Sequence, residues 1–210
     1  MTEPTVHIVD DDESFLRAVT RLLTASGHRV RTFVSAQEFL EGGFESARGC
    51  LISDLHMPDM GGLALQEAMA RAGHTLPVLF LTGNGDIPST VSAMQHGAVD
   101  FLEKRAPMET LLAAVTRALQ RDAAAHAVRR RHHALLKRFA SLSEREREVM
   151  AMVVQGRMNK EIAAELGIHE RTVKLHRTAV TTKLGVQSVA ELTRLWIGAG
   201  FADPTFPKGK

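Results

Sequence analysis

Short β-branched and apolar runs alternate, through the first half of the chain, with segments whose apolar residues recur at helical spacing. Val6–Val9 is the first run, and Phe15, Val19, Leu22 and Leu23 then line one face of a helix over Ser14–Thr24. The pattern predicts further strands at Val30–Val34, Cys50–Ser53, Pro77–Leu81 and Val99–Leu102. Helices are predicted at Ala36–Leu40, Leu63–Arg71, Pro88–Gln95 and from Glu109 onward. Five strands alternating with five helices imply an α/β fold, a doubly wound five-stranded parallel sheet with helices on both faces.

Beyond Glu109 the pattern changes. No proline or glycine interrupts the chain to about Arg138; Leu111, Leu112, Val115 and Leu119 keep helical spacing and then fade into alanines and Arg129-Arg130-Arg131-His132-His133. This predicts a long helical linker with a basic segment and a last apolar contact at Leu135, Leu136 and Phe139; a sustained heptad is missing. Ser143-Glu144-Arg145-Glu146 and Ser188-Val189-Ala190-Glu191 are capping boxes, and Gly156, Gly167 and Gly185 stand where C′ glycines do. They mark helices at about 144–155, 160–166, 170–184 and 189–198, a small all-α four-helix domain. Gly167-Ile168-His169 forms the tight turn of a helix-turn-helix unit.

The resulting domains are 1–120, a linker 121–139, the helical domain 140–200 and a tail 201–210. Charge supports the division. Residues 1–122 hold 10 Lys and Arg against 16 Asp and Glu, whereas 123–210 hold 16 against 8, so a polyanion suits the rear half. The single cysteine, Cys50, excludes an internal disulfide and lies in an apolar run, as a core thiol does. No apolar segment reaches membrane-spanning length and no basic stretch with an apolar h-region opens the chain, so a cytoplasmic protein with no membrane partner is expected.

Ligands of open parallel sheets gather beyond the carboxyl ends of the strands, near the point where strand order reverses. Asp10, Asp54, Thr82 and Lys104 each end a predicted strand and should converge there, with Asp11 beside Asp10. Carboxylates crowded in this way repel one another unless a divalent cation or a raised pKa relieves them, and hard oxygen ligands suit Mg²⁺ or Mn²⁺. Such a site lets a carboxylate attack phosphorus while metal and ammonium absorb charge. Asp54 is the candidate nucleophile, Asp10 and Asp11 the metal ligands, and Lys104 the partner of the phosphoryl oxygens, with the Thr82 hydroxyl as a further donor. Asp12 is predicted to cap the first helix.

The third helix of the rear half carries Val173, Val180 and Leu184 on one side and Lys174, Arg177, Thr178 and Thr181 on the other. The second side suits a major groove, where Lys and Arg read guanine edges and Thr offers hydroxyl and methyl groups. Lys160, Thr172 and Lys183 would then bind phosphates and fix register.

With these motifs in place, residues about 5–120 resemble the receiver domain of two-component response regulators, through Ile8-Val9-Asp10-Asp11, Asp54 with Met57-Pro58 and Gly62, Thr82-Gly83, and Phe101 with Lys104. Residues about 140–200 resemble the LuxR-type DNA-binding domain, through Leu142-Ser143-Glu144-Arg145-Glu146-Arg147-Glu148-Val149, Asn159-Lys160-Glu161-Ile162-Ala163, Thr172-Val173-Lys174-Leu175-His176-Arg177 and Lys183-Leu184-Gly185-Val186. The combination resembles the NarL/FixJ family, and Thr82-Gly83-Asn84-Gly85-Asp86 leans toward its FixJ side. The resemblance implies a flavodoxin-like receiver, phosphoryl transfer from a sensor histidine kinase to Asp54, a backbone carbonyl of His56 on the metal, and a switch in which Thr82 and Phe101 move together. It also implies a homodimer on phosphorylation, double-stranded promoter DNA as target, RNA polymerase as a further candidate partner, and Leu175 and His176 among the DNA contacts.

One departure is plain. The family usually has proline after the lysine, with a cis peptide, whereas this chain reads Lys104-Arg105-Ala106-Pro107. A cis bond before Arg105 would cost about 2.5–4 kcal/mol, so a trans bond is expected. Beside Asp54, His56 and Asn84 are candidates for tuning water access. Two other readings are an aspartyl phosphatase, disfavoured because Asp54-Leu55-His56 has no second acid two residues on, and a receiver that acts without phosphorylation. Apart from assisting its own phosphorylation and dephosphorylation, the chain is not expected to be an enzyme.

Overall fold

The computed structural model describes residues 3–42, 48–83 and 87–201, without the side chains of 87–89. The chain divides into two compact units, Met1–His126 and Ala127–Lys210.

In the front unit β1 (Thr5–Val9), α1 (Glu13–Ala25), β2 (Arg29–Phe33), α2 (Ala36–Glu41), β3 (Gly49–Asp54), α3 (Gly62–Arg71), β4 (Val78–Thr82), α4 (Ile87–Gln95) and β5 (Asp100–Glu103) follow the predicted alternation. The strands form one sheet in the order β2-β1-β3-β4-β5, with every pairing parallel. This is the flavodoxin-like order, with its reversal between β1 and β3.

Alternation along the strands feeds two cores. Val6, Ile8, Cys50, Ile52, Leu79 and Leu81 meet Leu16, Val19 and Leu23 of α1 and residues of the helix that follows β5. On the other face Val9, Phe33, Leu51, Val78 and Phe80 meet Phe39 of α2 and Leu65 and Met69 of α3. The apolar strand set is thus buried on both sides, as a doubly wound sheet requires. Cys50 is fully buried, and burial pushes its thiol up to about 12, so it is an inert core residue.

The helix α5 (Met108–Ala140) begins in the front core with Leu111, Ala114, Val115 and Ala118. Every residue from Ala127 to Ala134 is exposed, including the arginine run. Phe139 is then buried in the rear core, with Leu135 and Leu136 packed against it.

The rear unit continues with α6 (Glu144–Val154), α7 (Asn159–Leu166), α8 (Glu170–Leu184) and α9 (Val189–Gly198). Its core gathers Val149, Met150 and Val153 of α6, Ile162 of α7, Val173, Val180 and Leu184 of α8, and Leu192 and Trp196 of α9. Trp196 lies within 4.9 Å of the Phe201 ring and 6.3 Å of the Phe139 ring, which closes an aromatic cluster under the helices.

The predicted helix signals act as expected, with one exception. Ser143 and Glu146 complete a reciprocal capping box, and Gly156, Gly167 and Gly185 take left-handed φ values of 83°, 64° and 61°. At α9 the box is altered: Ser188 Oγ accepts from the Glu191 amide at 3.2 Å, but the Glu191 carboxylate accepts from the Gln187 amide at 2.8 Å instead of the amide of Ser188.

Candidate functional site

Strand register assembles the front site. Val9 lies opposite Ser53, Asp54 opposite Leu81, and Thr82 opposite Glu103. Asp10, Asp54 and Lys104 therefore leave the carboxyl ends of β1, β3 and β5 together. The Lys104 ammonium bridges Asp10 Oδ2 at 2.7 Å and Asp54 Oδ2 at 2.8 Å. Asp10, Asp11 and Asp54 each offer an oxygen within 4.8 Å of the others, a set that could hold a metal ion.

Burial makes the set unequal. Asp10 and Asp54 are buried and Asp11 is exposed. Burial raises the Asp10 pKa above its ordinary value, and the Asp54 charge adds to this, against the stabilising bond from Lys104 and the Asp12 amide. Lys104 pays for its own desolvation but is held charged by Asp10 and Asp54, so its pKa is raised. Perturbed groups on both sides of one buried ion-pair cluster mark this edge of the sheet as a candidate functional site.

Local backbone fixes the nucleophile candidate. Asp54 Oδ1 accepts from the His56 amide at 3.3 Å, and Ser53 Oγ donates to the Asp54 carbonyl at 2.9 Å. A Cβ on Gly62 would fall 2.3 Å from the same carbonyl, so only glycine lets α3 start this close to the acceptor. Asp12 caps α1 as predicted, its Oδ1 accepting from the amides of Ser14 at 2.8 Å and Phe15 at 3.1 Å.

Thr82 is fully buried at the end of β4, and its carbonyl accepts from the Lys104 amide at 2.8 Å. Phe101 is half-buried, its ring centroid 6.4 Å from that of Phe80. His56 is exposed, and Asn84, Gly85 and Asp86 lie outside the described residues. There is no cis peptide among the described residues, so the Lys104–Arg105 bond is trans, and Arg105 is exposed and pairs with Glu103 at 2.5 Å.

In the rear unit α8 presents its polar side, rotated from the predicted one. Arg171, Lys174, Leu175, Thr178 and Thr182 are exposed, at i, i+3, i+4, i+7 and i+11, with Leu175 64 % exposed. Arg177 and Thr181, expected on the outer stripe, are half-buried because they lie over the joins to α7 and α6. Arg177 donates to Asn159 Oδ1 at 2.8 Å, and the Thr181 hydroxyl donates to the Thr178 carbonyl at 2.9 Å.

An open groove of about 630 Å³ runs between the start of α7 and α8, lined by Arg157, Met158, Asn159, Lys174, Arg177 and Thr178. Lys160 is exposed at the start of α7, while Thr172 and His176 are half-buried on α8.

Lys183 is occupied elsewhere. Its ammonium donates to Glu146 Oε2 at 2.6 Å and to the Ser141 carbonyl at 3.3 Å, so it braces the capping box of α6. Lys183 and the capping amide together hold the Glu146 carboxyl below the usual range. Sequence reasoning gave no role to Glu146 in this brace, to Asn159 as partner of Arg177, or to Phe15, whose ring lies under the Lys104 ammonium at 4.6 Å. Asn159 and Glu146 stand inside the quoted motifs, but nothing local says which distant cation each will meet.

Residues 6–116 match the family described as "Response regulator receiver domain", and residues 140–196 match "Bacterial regulatory proteins, luxR family". Nodulation protein W of Bradyrhizobium diazoefficiens is 42 % identical over 194 residues, covering 92 % of this chain and 86 % of that protein. Transcriptional regulatory protein FixJ of Rhizobium meliloti is 39 % identical over 201 residues, covering 96 % and 98 %. Among solved structures, response regulator StyR aligns with a TM-score of 0.84 at 42 % identity, over 92 % of this chain and 98 % of that one. Full-length FixJ from B. japonicum aligns with a TM-score of 0.58 at 36 % identity, over 97 % and 100 %.

Proposed function

The chain belongs to the response regulators that join a receiver domain to a LuxR-type DNA-binding domain, and on that premise we propose that phosphorylation of Asp54 controls its binding to promoter DNA. The observation that carries this reading is the Lys104 ammonium set between Asp10 and Asp54 at the carboxyl edge of the sheet.

The donor is a phosphohistidine of a sensor kinase. An Asp54 carboxylate oxygen attacks phosphorus, the phosphorus–nitrogen bond breaks, and the bonding pair stays on the departing imidazole, leaving an acyl phosphate. Lys104 stands where it can turn from the carboxylates to the phosphoryl oxygens and neutralise part of their charge. The oxygen donors Asp10, Asp11 and Asp54, with the His56 carbonyl, suit Mg²⁺ or Mn²⁺, which when bound supplies charge neutralisation on the phosphoryl group.

The acyl phosphate adds roughly −1.5 to −2 charges and strong acceptors beside Thr82, whose hydroxyl can answer them. Movement of Thr82 and Phe101 then changes the receiver surface and favours a homodimer. Two rear units on one duplex bind as a linked pair, so dimerisation raises affinity for paired half-sites. In the full-length chain, acetyl phosphate with Mg²⁺ should raise promoter affinity and shift the oligomeric state, read by DNA titration and sedimentation. Full promoter binding without phosphorylation, unchanged by the treatment, would favour a receiver that works as an interaction module only.

Readout is assigned to the exposed stripe of α8, with Lys174 and Leu175 at its centre and Thr178 beside them. The held guanidinium of Arg177 lines the groove beside this stripe, and Lys160 at the start of α7, with Thr172 and His176 on the flanks of α8, is assigned to phosphate contacts. Lys174→Ala should cost about 1–3 kcal/mol of preference for the operator over random DNA. Equal losses on both DNAs in a competition titration would make Lys174 a phosphate contact instead.

A further inference from the structure

Lys104 carries its ammonium on a flexible stem at the end of β5, a strand of only four residues, and the residue that follows it is exposed. An ammonium has three N–H donors. Two sides of this one face Asp10 and Asp54, and its nitrogen lies 4.6 Å from the centroid of the Phe15 ring. The Lys104 side chain is 20 % exposed, so most of the water that would otherwise solvate the cation is excluded.

The ring is tied to the carboxylates by a closed circuit of contacts. Asp10 Oδ1 accepts from the Asp12 amide at 2.9 Å, and Asp12 Oδ1 accepts from the Phe15 amide at 3.1 Å. The Phe15 ring faces the Lys104 ammonium, and that ammonium returns to Asp10 Oδ2 at 2.7 Å. Any displacement of the first turn of α1 therefore moves the ring and one carboxylate together.

We propose that Phe15 is a positioning residue for phosphoryl transfer to Asp54, holding the Lys104 ammonium by a cation–π contact while it exchanges a carboxylate for a phosphoryl oxygen. The inference rests on the reading of Asp54 as phosphoryl acceptor. A negative ring face attracts the cation in either pairing, so it supplies a wall that persists when the partner oxygens change. An aliphatic side chain of similar size fills the space but lacks the quadrupole. Without the ring the stem samples other rotamers, and fewer encounters with the phosphodonor find the ammonium in place.

The test follows the rate of acyl-phosphate formation in the full-length chain with acetyl phosphate and Mg²⁺. Phe15→Leu and Phe15→Met should each slow it about fivefold, and Phe15→Tyr should stay near the wild-type rate. In a Lys104→Met background Phe15→Leu should cause no further slowing, because no cation remains to be placed. A wild-type rate in both aliphatic variants, or the same fold loss with and without Lys104, would overturn the proposal. A wild-type chain that forms no acyl phosphate would overturn the reading of Asp54 as well; a phosphorylated wild type with unaffected aliphatic variants overturns the role of Phe15 alone.

Discussion

Asp54→Asn is expected to abolish phosphoryl uptake and, with it, the whole phosphate-dependent gain in DNA affinity. The amide nearly matches the carboxylate in shape, and Asp54 is buried and bonded to the His56 amide, so the substitution leaves the fold in place. What it removes is the anionic nucleophile. A neutral amide oxygen has no full charge to direct at phosphorus, and Lys104 then keeps a single carboxylate partner, Asp10. The loss should be complete, because the two other acids cannot substitute: Asp10 is buried against Lys104, and Asp11 is exposed and outside the bridge.

The measurement has two arms. Intact-mass analysis after acetyl phosphate treatment should show one added phosphoryl group on the wild type and none on the variant. DNA titration should show equal basal affinity for both chains and a gain for the wild type only. A variant that still gains affinity on treatment would place the switch somewhere other than Asp54. A gain in neither chain, with the wild type phosphorylated, would separate the acyl phosphate from DNA binding.

Legibility in the sequence tracks how local each cause is. The capped and glycine-stopped helices were readable because Ser143 with Glu146, and Gly167 or Gly185 in the left-handed region, act within a turn of their own helices. The convergence of Asp10, Asp54 and Lys104 was readable because a parallel sheet brings strand ends to one edge, whatever the loops between them do. Gly49 was not. It sits at φ 117° where a Cβ would meet the Thr5 carbonyl at 1.9 Å, and nothing beside it in sequence announces that approach.

The same limit applied to α8. Helical periodicity located a polar side, but neighbouring helices decide which part of it is covered. Asn159 of α7 draws in Arg177, and Glu146 of α6 claims Lys183, 37 residues away. Phe15 read as one more apolar position on α1; only the folded chain places its ring under a lysine from the far edge of the sheet.

Acidification from neutral pH to about pH 4 should destabilise the front unit by about 3 kcal/mol through His7 alone. His7 is buried on β1, opposite Arg31 of β2, with its ring 5.7 Å from that of Phe39 and 6.2 Å from that of Phe33. Burial chiefly, and the Arg31 charge next, lower its pKa from 6.5 to about 4, against a weaker opposite pull from the Arg48 backbone. Above the unfolded pKa the ring is neutral in both states, and its stabilising contribution is fully present. As pH falls below that value the unfolded chain takes a proton that the folded chain refuses, and stability drains until the folded pKa is reached. Asp10 works in the opposite direction, since its raised folded pKa favours the folded state as acid is added. The His7 share is therefore isolated by difference. Hydrogen exchange at the β1 and β3 amides of the full-length chain, corrected for intrinsic rates, should lose protection steeply between neutral pH and about pH 4 in the wild type, and far less in His7→Phe, which keeps an aromatic ring beside the Phe33–Phe39 pair. Parallel losses in the two chains would mean that His7 takes its proton as readily in the fold as outside it, and that the acid sensitivity of the front unit lies in its carboxylates.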